Sequence, residues 1–184
     1  MQTELIRTLR PHVTQEDAVR AFTAPGAASF YWKLRRGPLL RIADAYIPFH
    51  LYRVRYNIGG ATHSQILAMD AVDGSLDLFQ FAAAPGDTET VLISTRNRLS
   101  PELCESRAEE LLREKVLRLI FQHGFFKVRE AGVQMNPLPG ILYLPYWLGF
   151  YGSTDSLHCR VMDAVRRRIE GAKASALFEQ WLAA

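Results

Sequence analysis

The chain has 184 residues, with 22 Lys+Arg against 19 Asp+Glu for a formal net charge of +3, 48% hydrophobic residues and two cysteines. That length buries a substantial core without metals or disulfides, in one large domain or two small ones. The apolar fraction excludes a disordered chain, a collagen-like repeat and a low-complexity tail.

The first residues, Met1-Gln2-Thr3-Glu4-Leu5-Ile6-Arg7, lack the basic-then-apolar order of a signal peptide, which points to a cytoplasmic protein. A helix is predicted from Thr14 to Phe22, with Thr14 as N-cap, Asp17 at N3 and Val13 and Ala18 as a hydrophobic staple. Strand-like runs follow at Phe30–Arg35, Ala45–Asn57 and Thr62–Val72, the last two joined by a Gly59-Gly60 turn. Asp73-Gly74 signals a tight hairpin into a strand at Ser75–Phe81, and another strand is expected at Thr90–Ser94. A longer helix is predicted from Pro101 to His123, with Ser100 as cap, Pro101 at N1 and Glu102 at the positive helix end. Its stripe of Ala108, Leu111, Leu112, Val116, Leu119 and Ile120 has helical period. Three more strand-like runs come next, at Phe125–Arg129, Ile141–Tyr151 and Ser156–Val165. Gly152-Ser153-Thr154-Asp155 turns between the last two. A final helix, Ala172 to Leu182, carries Leu177, Phe178, Trp181 and Leu182 on one side. The uncharged run Ala131–Thr154 is long enough to span a bilayer, but Pro137, Pro139, Pro145 and four glycines make it a buried strand pair with its approach loop.

The chain also matches itself. Met69-Asp70-Ala71-Val72 recurs as Met162-Asp163-Ala164-Val165, and Leu76-Asp77 corresponds to Ile169-Glu170 at the same offset. Upstream, Tyr46-Ile47-Pro48-Phe49-His50-Leu51 matches Tyr143-Leu144-Pro145-Tyr146-Trp147-Leu148, and Phe30–Arg35 loosely matches Phe125–Arg129. The expected fold is therefore α+β: two pseudo-symmetric αβββ units with antiparallel sheets and helices packed on one face, plus a C-terminal helix. The units span residues 1–92 and 93–184 and are fused into one body. The Tyr-x-Pro strands are apolar on both faces, so the second face needs a cover: the other copy, a partner chain or a ligand.

A strand running into the Asp70-Ala71-Val72-Asp73-Gly74 turn, after a helix and a hairpin, resembles the PepSY-type module, a small αβ unit with a similar turn. In the second copy Arg166-Arg167 stand in place of Asp73-Gly74. The resemblance implies binding or inhibitory modules rather than enzymes. The Tyr-x-Pro-aromatic strand is also similar to uncharacterised bacterial proteins, which carries no activity over.

The sequence contains no phosphate loop, dinucleotide fingerprint, nucleophile elbow or zinc-protease helix. His12, His50, His63, His123 and His158 do not fall at metal spacing. Cys104 and Cys159 are isolated and read as reduced thiols, so no metal or cofactor is expected. Asp70 and Asp163 form the sharpest pair, each a carboxylate among apolar strand neighbours. They are either acids in a cleft between the copies, or strand-ending residues that accept the amides of the following turn or pair with an arginine. Tyr46, Pro48, Tyr143, Pro145 and Trp147 form a second set, lining a groove or dimer seam or packing the core. Proline deletes a ladder donor, so both prolines are expected at an edge or a bulge. His50 and Trp147 hold equivalent places. Arg53 and Arg55, with Arg166-Arg167-Arg168, form a candidate basic stripe for nucleic acid or plain solvated charge.

Together these features favour a non-enzymatic cytoplasmic interaction protein that binds a protein partner, or a second copy, through aromatic-rich sheet surfaces. The alternatives are a small-molecule-binding protein or enzyme with Asp70 and Asp163 in a cleft, and a nucleic-acid binder using the arginine stripe.

Overall fold

The computed structural model describes residues 3–24, 30, 34, 36–58, 61–122, 132–153 and 156–183. Two strands of 20 residues form its spine: β2, Leu39–Ile58, and β6, Gln134–Ser153. They run antiparallel, from Leu39 opposite Tyr151 to Arg55 opposite Gln134. The C-terminal half of each folds back into a hairpin. β2 pairs with β3, Ala61–Asp70, and β6 pairs with β7, Ser156–Asp163. Short β4, Phe79–Phe81, extends the first hairpin and β8, Arg168–Ile169, extends the second. β1, Glu4–Leu9, runs parallel to β6 at Thr8 and Tyr143 and antiparallel to β5, Thr90–Thr95. The result is one eight-stranded sheet within an α+β fold.

Strand alternation sends successive side chains to opposite faces, and both faces are covered by this chain itself. On one face, α1 (Gln15–Thr23) packs Ala18 and Phe22 against Tyr151, Met162 and Ala164. On the same face, α2 (Glu105–Gln122) packs Ala108, Leu112, Val116 and Ile120 against Tyr52, Val54, Leu67 and Met69. Each helix thus lies on the hairpin of the other half of the sequence. Gly149 is what lets α1 approach: a Cβ there would come within 3.0–3.1 Å of the Phe22 ring. The opposite face carries the largest core, with Ile47, Phe49, Leu144, Tyr146 and Leu148 beneath Leu177 and Phe178 of α3, Ala172–Ala183. Among the described residues, no helix is long and apolar enough to cross a membrane.

The α1 start is as expected: Thr14 accepts from the Asp17 amide while the Asp17 carboxylate takes the Thr14 amide, a closed capping box. Other expectations need correction. α2 begins at Glu105 rather than Pro101, because the amides of Glu102 and Leu103 are committed to the Ala71 carbonyl at 2.8 and 2.9 Å. Residues 71–78 form no tight hairpin; only Phe79–Phe81 is strand, since the preceding turn wraps around Asp70. Of the run at Phe30–Arg35, Phe30 and Leu34 are helical, and the rest, like Phe125–Arg129, lies outside the described residues. α3 takes the sheet face opposite α1 and α2, so the helices do not share one face. β1 and β8 were not expected at all.

Pro48 and Pro145 are the sharpest departure. They sit buried in the two central strands, opposite Tyr143 and Tyr46, and not at an edge. Each occupies the point where the flanking strand ends. The Pro48 carbonyl accepts the Ala71 amide at 2.8 Å, and the Pro145 carbonyl accepts the Ala164 amide at 3.1 Å. A ladder would return a donor from residue 48 to the Ala71 carbonyl; proline has none. That carbonyl takes Glu102 and Leu103 instead, and the Ala164 carbonyl takes His12 and Val13, at 2.8 and 3.1 Å. Proline therefore frees an acceptor that fixes the chain just before each helix.

Candidate functional site

Both Asp70 and Asp163 are fully buried at strand ends, and both serve their turns. Asp70 Oδ1 accepts the amides of Asp73 and Gly74 at 3.1 and 2.8 Å, and Oδ2 accepts that of Leu76 at 2.9 Å. Burial nevertheless pushes the Asp70 carboxyl above its ordinary value, against the pull of these three amides. Asp163 uses one oxygen only: Oδ1 accepts from Val165 and Arg166, both at 2.8 Å, while Oδ2 has no hydrogen bond and faces Arg166 Nε at 3.7 Å. Neither carboxylate lines a cavity among those the structure contains at this seam. They shape the turns that do.

The aromatic-proline set is divided. Pro48, Tyr143 and Pro145 are buried, whereas Tyr46, His50 and Trp147 are half-buried on the α1/α2 face. Trp147 Nε1 donates to the Val13 carbonyl at 3.0 Å, ahead of α1. His50 lies on the α2 side; burial lowers its pKa, and Glu105 raises it by less. Burial likewise raises the Tyr46 phenol, with Asp44 adding to the effect. These residues join strands to helices and do not present one open aromatic surface.

The basic residues are also dispersed. Arg53 and Arg55 are exposed on the far half of β2. Arg166 stacks its guanidinium 3.6 Å from the Phe79 ring centroid and donates to the Leu78 carbonyl. Arg167, at φ 57°, donates to the His12 carbonyl at 2.8 Å, and Arg168 grips Glu170 with both Nη2 and Nε. Cys159 is buried, its thiol pushed up to about 12 by desolvation, and Cys104 is exposed beside Ser106.

What sequence reasoning missed lies between the two turns. A cavity of about 300 Å³ is floored by Phe49, Leu76, Phe79 and Tyr146, and rimmed by Asp77, Arg166, Arg168, Glu170 and Lys173. Phe49 and Tyr146 are the aromatic residues that follow the two prolines, and Asp77 and Glu170 are also a matched pair in the internal alignment. The cavity thus takes residues from both halves of the sequence, and the strand alternation that hides Pro48 and Pro145 turns their neighbours toward it.

No protein-family model, curated protein or solved structure matches the chain.

Chemistry must therefore be read from the cavity itself. Tyr146 is only 5% exposed and lines this cavity. Burial, helped by the Asp163 and Glu170 carboxylates, holds that phenol well above its ordinary value, so it stays a neutral donor. Beside it begins α3, whose Ala172, Lys173 and Ala174 line the same space. The residue before α3, Gly171, has no side chain to cap the helix, and the first turn holds no acidic residue. The first amides of a helix lack acceptors of their own and favour negative charge. A second cavity of about 520 Å³ adjoins, between α2 and residues 74–78, and shares Asp77 and Lys173 with the first. Among the described residues no cluster of His, Cys, Asp and Glu is placed to hold a metal.

Proposed function

We propose that this is a small-molecule-binding protein, built from two copies of one αβββ frame, that takes an organic acid with an apolar body in the cavity between the two turns. The observation that carries the reading is the neutral Tyr146 phenol on an apolar floor, beside cationic side chains and a helix start preceded by glycine. An apolar cavity with a few convergent polar donors suits a carboxylate with an apolar body. Lys173 and the α3 amides would hold the carboxylate, Tyr146 would donate to it, and Phe49, Leu76 and Phe79 would take the chain.

The duplicated frame is supported by the register. Ile47 and Leu144, equivalent in the internal alignment, are paired with each other, as a two-fold axis between copies requires. Phe49 pairs with Asp70 as Tyr146 pairs with Asp163. Where copy one has Asp73 and Ser75, copy two has Arg166 and Arg168, so divergence between the copies gives the cavity its positive rim.

Calorimetric titration at low salt tests the reading, with octanoate as the acid and octanol as its neutral match. Octanoate is expected to bind at least about tenfold more tightly than octanol, a difference typical of one charge-assisted hydrogen bond. Tyr146→Phe and Lys173→Gln should each remove a large part of that preference. Equal affinity for octanoate and octanol, or full retention of the preference in both variants, would sink the proposal.

A further inference from the structure

Resting on that reading, we infer that the two adjoining cavities form one site for an elongated dianion with an apolar middle, divided in the free protein by the Asp77–Lys173 pair. The two cavities share these residues, whose side chains meet at 3.4 Å. Both are largely exposed, at 77% and 66%, so water screens the pair and a ligand can displace it.

The far cavity has the means to hold a second negative group. Lys115 reaches into it from α2, half-buried, and donates to the neutral Leu76 carbonyl. Among the described residues no carboxylate lies within ion-pair distance of Lys115; burial lowers its pKa, while Asp70, Asp77 and Asp73 act from further off to raise it. Arg118 adjoins it, paired with Glu114 at 3.6 Å. Leu78 and Leu111 give the cavity an apolar wall. Over both cavities, five cationic side chains stand against three acidic ones, so most of the chain's formal excess of +3 is gathered in one cleft. Two of the four lysines of the whole sequence are here. An acid with one charged end would leave Lys115 without a carboxylate in contact; an α,ω-dicarboxylate would serve both ends of the cleft.

The test is the same titration extended to octanedioate and decanedioate, on the full chain. One of the two dicarboxylates is expected to bind about tenfold or more above octanoate, as a second desolvated ion pair would give. Lys115→Gln should abolish that advantage and leave octanoate unchanged. Asp77→Asn should tighten dicarboxylate binding about threefold, because the carboxylate that competes for Lys173 is gone. This variant keeps the test valid if loss of Lys115 harms folding. Dicarboxylates that bind no better than octanoate would overturn the inference while leaving the single-cavity reading intact, as would a Lys115→Gln variant that weakens octanoate equally. Failure of every acid to bind would remove both.

Discussion

At the scale of single residues, Asp70 and Asp163 each end the second strand of a hairpin but carry unequal loads. Both oxygens of Asp70 accept buried amides, so Asp70→Asn sets an NH2 group against at least one amide donor. That mismatch is expected to cost about 2 kcal/mol of stability in urea unfolding. Asp163→Asn keeps the oxygen that serves Val165 and Arg166 and replaces the one that makes no hydrogen bond and only a long 3.7 Å ion pair with Arg166, so it should cost less than the Asp70 change, about 1 kcal/mol. Equal losses would contradict this division. A pH effect follows as well. Because burial raises the Asp70 pKa, the folded state binds its proton more tightly than the unfolded chain, whose value is near 3.8. Between that value and the raised one, stability falls as pH rises, and it is flat above. The slope should vanish in Asp70→Asn. The sequence allowed both uses of these carboxylates, since a strand-end Asp before a turn reads the same in a cleft as in a cap. It was less informative about Tyr146, where period-2 alternation would have separated the residue from Pro145 and Trp147 and sent it to the other face with Phe49.

At the scale of elements, the prolines decide how helices meet the sheet. If Pro48 frees the Ala71 carbonyl for Glu102 and Leu103, then Pro48→Ala restores an amide donor aimed at an acceptor already holding two bonds. The new buried N–H must go unmet or displace the segment before α2, at an expected cost of about 1–3 kcal/mol. Hydrogen exchange should locate the loss at the start of α2 rather than in β2. The same change at Pro145 should loosen the start of α1. A uniform loss across the sheet would instead implicate the strand itself. Element types were largely legible because α2 and the paired strands carry strong periods of their own. Boundaries were less so where a tertiary bond decides them: Ser100-Pro101-Glu102 reads as a good helix start, but the Ala71 carbonyl claims its amides first. β1 escaped because two of its six positions break the pattern, with Leu5 exposed and Thr8 buried against the Tyr143 carbonyl. A hydrophobicity count cannot see a threonine that is inside for its hydrogen bond.

At the scale of the whole molecule, the halves depend on each other. α1 and α2 each pack on the other half's hairpin, β2 and β6 pair along nearly their full length, and β1 bridges β6 and β5. Residues 1–92 alone would leave Tyr52, Val54, Leu67 and Met69 without α2, and α1 without Tyr151 and Met162. Exposing several large side chains at once outweighs a domain's net stability of roughly 5–15 kcal/mol. Expressed separately, residues 1–92 and 93–184 should therefore each give the circular dichroism and hydrogen exchange of an unfolded chain. Mixed at equal concentration, they should recover the sheet signal and the octanoate site together, since that cavity takes Phe49, Leu76 and Phe79 from one half and Tyr146 and Arg166 from the other. A half that folds cooperatively on its own would mean that its hairpin finds another cover, and the cavity would then be a junction between two domains instead of a part of one core.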